Sequence, residues 1–247
     1  MRIIDASKGR QTDTSTGFGR HYHVFQTLKE ELRKRNDLKS KTLECLIIGP
    51  GLRYTDYDQR YINTYQPFEL ANALRYLEWQ ADILDINTIV INELKKRPAK
   101  LNISKKYWEN YHHIQEFEDR IGHQARYYDQ FFENHKIEGN DSYKIVEIPD
   151  EILNRFNLIQ GDIVQDQIKN YDIIICTVVL SYYQSSFTHD ESIPFNTLPN
   201  KIISAVNKGG YLIASFSQNA DFELLGYSAN FSYTSVHNEA ASLSKRI

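Results

Sequence analysis

The stretch Leu43-Glu44-Cys45-Leu46-Ile47-Ile48, followed by Gly49-Pro50-Gly51, decides the fold. A short apolar run that stops at glycines is typical of a buried strand in a parallel sheet, because such a strand is covered on both faces and glycine permits a sharp turn after it. Similar runs lie at 81–87, 158–163, 171–180 and 211–216, helical patterns at 22–35, 67–78, 103–135 and 198–206, and two weaker strand patterns at 229–236 and 240–246. The alternation of strands and helices predicts an α/β fold with three layers, in which a doubly wound, mostly parallel sheet is covered on both faces.

Composition excludes several classes of protein. The chain has 247 residues, 41% of them hydrophobic, and a net charge of -3, so it can bury a large core and has no basic excess for nucleic acid or an anionic membrane. The longest apolar run, 173–180, is far shorter than the roughly 20 residues of a membrane-spanning helix. The first residues turn polar at once, which predicts no secretory leader and a cytoplasmic protein. The two cysteines, Cys45 and Cys176, lie in apolar runs and predict neither a disulfide framework nor a metal site.

The spacing of the elements predicts an insertion. About 70 residues separate Asp85 from Gly161, many more than one crossover needs. The extra segment, about 88–150, is expected to be helical, because apolar residues from 103 to 135 recur with a period close to that of a helix. This helix either covers a ligand crevice and shapes a substrate pocket or is plain packing surface. The expected organisation is an N-terminal segment and helix over 1–40, a candidate lid, and a main domain over 41–247.

Residues that follow the strands are the candidates for a binding site, since ligands of doubly wound folds bind outside the carboxyl ends of the strands. Gly49 and Gly51 would let the backbone approach a ligand closely. Asp85 can accept both hydrogen bonds of a ribose diol, and Asp162 can accept a bond from an exocyclic amine. The glycine pattern lacks its third glycine, because Tyr54 stands there. A turn without a ligand and a solvated loop acid are the alternatives.

These segments resemble, in order, five motifs of the class I S-adenosylmethionine-dependent methyltransferases, a Rossmann-like family. The resembling segments are Ile47-Ile48-Gly49-Pro50-Gly51, Ile83-Leu84-Asp85-Ile86-Asn87, Gly161-Asp162-Ile163, 171–180 and Lys208-Gly209-Gly210-Tyr211-Leu212-Ile213. The resemblance covers about residues 40–247. It implies a seven-stranded sheet whose last strand is antiparallel, and S-adenosyl-L-methionine as the cofactor. The first motif departs from the family, because a long loop, 52–66, separates it from the next helix.

The resemblance also implies which residues bind the cofactor. Asp85 would hold the ribose and Asp162 the adenine amine, with Ile163 against the base; Arg53, in the long loop, is a candidate for the cofactor's carboxylate. The full expected set is Gly49, Pro50, Gly51, Arg53, Asp85, Ile86, Asp162, Ile163, Thr177 and Val178.

The expected reaction is methyl transfer to a small-molecule acceptor, by in-line displacement at the sulfonium methyl group. A hydroxyl or phenol acceptor needs a general base, for which histidine is the most suitable side chain. The candidate catalytic residues are His21, Tyr22 and Tyr182, with the tyrosines lining the acceptor pocket. Two other functions stay open at this point: a methyltransferase-like binding protein without turnover, and a nicotinamide-dependent oxidoreductase, in which Asp85 would bind the ribose equally well.

Overall fold

The computed structural model describes residues 22–52, 59–104, 131, 133, 136–140, 143–177, 197–214, 231–233 and 242–247. Its helices are α1 (Tyr22–Arg33), α2 (Gln66–Leu74), α3 (Thr88–Leu94), α4 (Asp150–Leu153) and α5 (Thr197–Ala205), with one 3-10 turn at Asn36–Leu38. Its strands are β1 (Leu43–Ile48), β2 (Trp79–Asp85), β3 (Lys100–Ser104), β4 (Lys136–Asn140), β5 (Tyr143–Glu147), β6 (Phe156–Gln160), β7 (Tyr171–Cys176), β8 (Val206–Ala214), β9 (Phe231–Tyr233) and β10 (Ser242–Arg246). Within these residues, no helix has the length and apolar character needed to span a bilayer.

The central sheet has the strand order β6-β2-β1-β7-β8-β10-β9. Its first five strands are parallel, and β10 runs antiparallel to both of its neighbours, β8 and β9. The winding reverses between β1 and β7, because the chain goes from β1 outward to β2 and β6 before it crosses back to β7. The predicted doubly wound, mostly parallel α/β fold is confirmed, and β10 has the antiparallel direction that the resemblance implied for the last strand.

The central strands β1 and β7 are buried on both faces over nearly their whole length, which explains why they are almost continuously apolar rather than alternating. Cys45 and Ile47 of β1 face the core formed with α1 and α2, whereas Leu46 and Ile48 face the core formed with α5. This division follows from the strand period of two, which sends successive side chains to opposite faces. Each fully buried aliphatic side chain of this kind contributes about 1.5–3 kcal/mol of burial free energy.

Helix α2 is buried on every side, and every residue from 62 to 74 is classed as buried. Pro67 lies in its first turn, where the missing N–H costs nothing, as the sequence predicted. The segment before the helix is tied to the insertion, since Tyr65 Oη donates a 2.9 Å hydrogen bond to the Asn102 carbonyl oxygen. A helix buried all round is normally apolar. The polar side chains that α2 places in the interior therefore need a local explanation.

The insertion is not purely helical, which corrects the expectation for 88–150. After α3, strands β3, β5 and β4 form a separate three-stranded antiparallel sheet. Ile103, expected to begin a helix, lies in β3, while Phe131 and Glu133 are helical. Residues 105–130, which hold most of the expected helix, lie outside the described residues. The prediction failed at this end because Ile103, which alternates with polar neighbours in β3, was read as the first residue of the helical stripe.

The crossover from β6 to β7 contains no helix. Residues 161–170 make the connection with a turn only, and a network of polar side chains occupies the neighbouring sheet surface. Lys169 Nζ lies 2.7 Å from Glu44 Oε2 and 3.4 Å from Asp82 Oδ2. Asp82 also accepts 2.8 Å hydrogen bonds from Tyr171 Oη and Asn157 Nδ2. These ion pairs and hydrogen bonds satisfy polar groups on strands that would otherwise require an apolar cover.

Candidate functional site

The predicted motifs converge at the carboxyl edge of the sheet, where the winding reverses. The Gly49 N–H donates a 2.8 Å hydrogen bond to the Leu84 carbonyl oxygen, which joins the ends of β1 and β2. The Gly161 N–H donates a 3.1 Å bond to the Asp85 carbonyl oxygen, which joins the ends of β2 and β6. The glycine bend, Asp85 and the Gly161 turn are thus direct neighbours, although they are far apart in the sequence.

The bend after β1 depends on glycine. Gly49 has a φ of 57° and Gly51 a φ of 74°, both in the left-handed region. A side chain there costs roughly 1–2 kcal/mol per residue, because its Cβ approaches the carbonyl oxygen. Pro50, between them, is buried, and both glycines are half-buried. The bend therefore presents bare backbone to the crevice at the point where a ligand would approach.

Asp85, the last residue of β2, is a buried carboxylate with little hydrogen bonding. It is 8% exposed, and its Oδ1 accepts one 2.7 Å hydrogen bond from the Asn87 N–H. Burial raises the pKa of this carboxyl to about 6, and the bond from Asn87 only partly opposes the rise. A carboxylate with two or three donors would have a low pKa instead. Asp85 is therefore short of donors, and a ligand that brings hydroxyl groups would supply them.

The turn after β6 is closely packed. A Cβ on Gly161 would overlap the Asp166 carboxylate and lie 2.9 Å from Leu84 Cδ1, so a side chain there would require both of these side chains to shift. Asp162 Oδ1 accepts a 2.9 Å bond from the Val164 N–H, which uses one of its oxygens within the turn. Ile163 is 3% exposed and packs in the core on the α5 side. It is thus a core residue, whereas Ile86, beside Asp85, is half-buried.

Sequence reasoning missed one residue of this edge, Gln66, the first residue of α2. Gln66 is 1% exposed, and its Nε2 donates a 2.5 Å hydrogen bond to Oγ1 of Thr177, which directly follows β7. The Oε1 of Gln66 and the Oγ1 of Thr64 are buried and have no hydrogen-bond partner in the described part of the chain. Leaving such an atom unpaired costs about 1–3 kcal/mol. The available signal was a glutamine before a proline at the start of a helix that is buried on every side.

Several predicted site residues cannot be placed in this arrangement. Arg53, Val178, His21 and Tyr182 lie outside the described residues, and Tyr22 begins α1 but its side chain is not among those described. Over the described ranges there is no group of three or more His, Cys, Asp or Glu side chains arranged to hold a metal ion.

No protein-family model matches the chain, and neither does any curated protein. Among solved structures it is similar to a TehB-like SAM-dependent methyltransferase from Corynebacterium glutamicum, at 10% identity and a TM-score of 0.43, over 98% of this chain and 92% of the other. It is similar to the N-methyltransferase NodS from Bradyrhizobium japonicum, in complex with S-adenosyl-L-homocysteine, at 11% identity and a TM-score of 0.41, over 96% and 92%. A third is an O-methyltransferase family 2 protein from Planctomyces limnophilus, at 14% identity and a TM-score of 0.43, over 93% and 58%. Similarity at these values is too low to carry a functional argument, so the proposal below rests on the site itself.

Proposed function

We propose that the chain is an S-adenosylmethionine-dependent methyltransferase that acts on a small-molecule acceptor. The observation that carries the proposal is Asp85: a buried carboxylate with a pKa raised to about 6, set between two glycine turns at the point where the winding reverses. Burying a carboxylate with so few donors is unfavourable for the unliganded protein. The arrangement is understandable if a ligand with a vicinal diol completes the hydrogen bonding of that carboxylate.

The distribution of polar groups and bare backbone along this edge supports the cofactor proposal. Asp85 would accept the ribose hydroxyl groups, the bend at Gly49 and Gly51 would lie against the ligand without side chains, and Asp162 would stand near the adenine amine. The unpaired oxygen of Gln66 lies toward β7, on the side of the crevice away from β2. An elongated ligand with a polar group at each end therefore matches the distribution of unsatisfied acceptors along the edge.

When bound, the cofactor would supply a methyl group on a sulfonium, which a nucleophile displaces in line with the sulfur. The protein's part is to hold the two reactants in that geometry and to exclude water, which can supply several kcal/mol of the barrier. His21 would accept the proton of a hydroxyl or phenol acceptor, and Tyr22 and Tyr182 would line the acceptor pocket. A small acceptor is favoured over nucleic acid because the net charge is -3.

The strand order favours a methyltransferase over a nicotinamide-dependent oxidoreductase. The dinucleotide-binding sheet has the order 3-2-1-4-5-6. Here the antiparallel β10 separates β8 from β9, so the order by appearance in the chain is 3-2-1-4-5-7-6. The difference lies at β10 and β9. In a dinucleotide-binding fold, that half of the sheet would have to bind the second mononucleotide of the cofactor.

Isothermal titration calorimetry with S-adenosyl-L-homocysteine tests the proposal. The wild-type protein is expected to bind it, and Asp85→Ala to weaken binding by about 1.5–3 kcal/mol, or about 10–150-fold. Glu151→Gln, an exposed carboxylate on α4, is the matched control and should leave the affinity unchanged. Absence of both binding heat and a thermal shift at millimolar ligand would refute the proposal, as would preferential binding of a nicotinamide dinucleotide.

Turnover is tested separately. Methyl-labelled S-adenosylmethionine is incubated with the protein and a small-molecule extract, and label in the extract is measured. Cofactor binding without label transfer to any fraction would favour the methyltransferase-like binding protein that lacks turnover.

A further inference from the structure

We propose that Gln66 selects ligands by their amino-acid end, by accepting a hydrogen bond from the ligand's ammonium group through Oε1. This inference rests on the proposed function, because it takes the ligand to be S-adenosylmethionine or its demethylated product. It assigns a binding role to a helix residue that lies outside the five sequence motifs.

The position of Gln66 follows from the strand register. Ile47 of β1 pairs with Ile175 of β7, so Gly49 and Thr177 each follow that pair by two residues and end neighbouring strands. The hydrogen bond from Gln66 Nε2 to Thr177 Oγ1 therefore places the Gln66 amide at the reversal point, next to the glycine bend. The amino end of the nine-residue helix α2 is brought to the crevice by the same bond.

The orientation of the amide is fixed, and its oxygen is unused. Because Nε2 is held by Thr177, the amide cannot flip without breaking that bond. Oε1 is buried and is not paired with any of the residues that the structure describes. An unpaired acceptor on an amide that is held at the reversal point indicates a place for a group that donates a hydrogen bond.

The ammonium group is the part of the ligand that fits this place. Asp85, at the end of β2, accounts for the ribose hydroxyls, and β1 lies between β2 and β7. The end of the ligand remote from the ribose would then reach the β7 side, where Gln66 lies. An ammonium offers three donors and no acceptor. The Gln66 amide oxygen can accept from it, which satisfies the unpaired atom.

The test compares two ligands on each of three proteins. S-adenosyl-L-homocysteine carries the amino-acid end, and 5′-methylthioadenosine keeps the adenosine and sulfur but lacks it. Gln66→Ala is expected to weaken the binding of S-adenosyl-L-homocysteine about tenfold, which is the effect of one hydrogen bond to a charged group. The same variant should leave the binding of 5′-methylthioadenosine unchanged. Asn72→Ala is the matched control, because Asn72 is a buried amide on the same helix whose Oδ1 is also unpaired. It should change neither affinity.

A further variant separates the two charged groups of the amino-acid end. Gln66→Glu keeps an acceptor and adds a negative charge, so it should retain S-adenosyl-L-homocysteine binding if the ammonium is its partner. Selective loss of that ligand, with 5′-methylthioadenosine still bound, would show that the carboxylate lies there and would overturn the assignment. Thermal unfolding establishes beforehand that each variant is folded.

Failure of this inference is distinguishable from failure of the proposed function. If Gln66→Ala weakens both ligands equally, or neither, the residue has a structural role or binds an ordered water, and the inference is wrong while the function stands. If the wild-type protein binds neither ligand, the proposed function itself is wrong.

Discussion

Replacing Asp85 with asparagine is expected to stabilise the unliganded protein while it weakens ligand binding. The rise of the carboxyl pKa from 3.8 to about 6 corresponds to roughly 3 kcal/mol of unfavourable free energy for the ionised carboxylate at neutral pH. Asparagine keeps the shape and, like the protonated carboxyl, accepts the hydrogen bond from the Asn87 N–H as a neutral group, so it avoids this cost. The pKa already includes the opposing effect of that bond, so the net gain in the free energy of unfolding is about 3 kcal/mol.

The sign of the effect sets its pH dependence. A folded-state pKa above the unfolded value means that the native protein holds the proton more tightly, so wild-type stability falls as the pH rises from about 4 to about 6. Asp85→Asn removes this titration. The stability difference between variant and wild type should be near zero below pH 4, grow through this window and become constant above it. Urea unfolding at several pH values measures the difference directly.

Two outcomes would contradict this reasoning. One is a variant less stable than the wild type above pH 6, and the other is a stability difference that does not change with pH. Glu151→Gln serves as the control, because its exposed carboxylate should shift the free energy of unfolding by no more than about 0.5 kcal/mol at any pH. In parallel, calorimetry should show Asp85→Asn binding S-adenosyl-L-homocysteine more weakly than the wild type.

Three further outcomes are expected. Wild-type affinity for S-adenosyl-L-homocysteine should fall as the pH drops below about 6, since protonated Asp85 accepts fewer hydrogen bonds; a pH-independent affinity in calorimetry would contradict this. Gly51→Val should lower the free energy of unfolding by about 1–2 kcal/mol and abolish ligand binding, because it puts a side chain at a φ of 74° in the bend; normal binding would move the ligand elsewhere. Asp172→Ala should cost about 1–3 kcal/mol at neutral pH, because its carboxylate accepts bonds from Lys41 and Asn207. Burial raises the pKa of Asp172, but these bonds outweigh it and hold the pKa below its ordinary value, so the difference in urea unfolding should shrink as the pH falls through that lowered value.

The centre of the sheet was predictable from the sequence because strands β1 and β7 are buried on both faces. The run 43–48 was assigned to a strand with the bounds that the structure has for β1, and 171–180 was assigned correctly in its first part, β7. Continuous apolar residues between turn signals leave few alternatives in a chain that alternates strands and helices. The positions of Asp85 and Gly161 at neighbouring strand ends follow from the same reasoning, since all parallel strands end on one edge.

What the sequence did not predict depends on long-range contacts. The small antiparallel sheet pairs residues 100–104 with 143–147, and a helical period between these segments obscured their alternation. The role of Gln66 depends on its contact with Thr177, a residue 111 positions away, and no local pattern indicates such a bond. The burial of Ile163 likewise depends on how the connection between β6 and β7 packs against α5.

Because the connection between β6 and β7 lacks a helix, the stability of the two halves of the sheet depends differently on salt concentration. Around β7 and β8, cohesion comes mainly from apolar burial, which dissolved ions strengthen or leave unaffected, together with an ion pair between Lys41 and Asp172. Around β2 and β6, part of it comes from Lys169, whose side chain is 53% exposed, and from its carboxylate partners Glu44 and Asp82, so counterions weaken these ion pairs. Ionic strength thus acts unevenly across one continuous structure, and the flank that carries the Asp85 crevice, where two carboxylates share one lysine, responds more strongly.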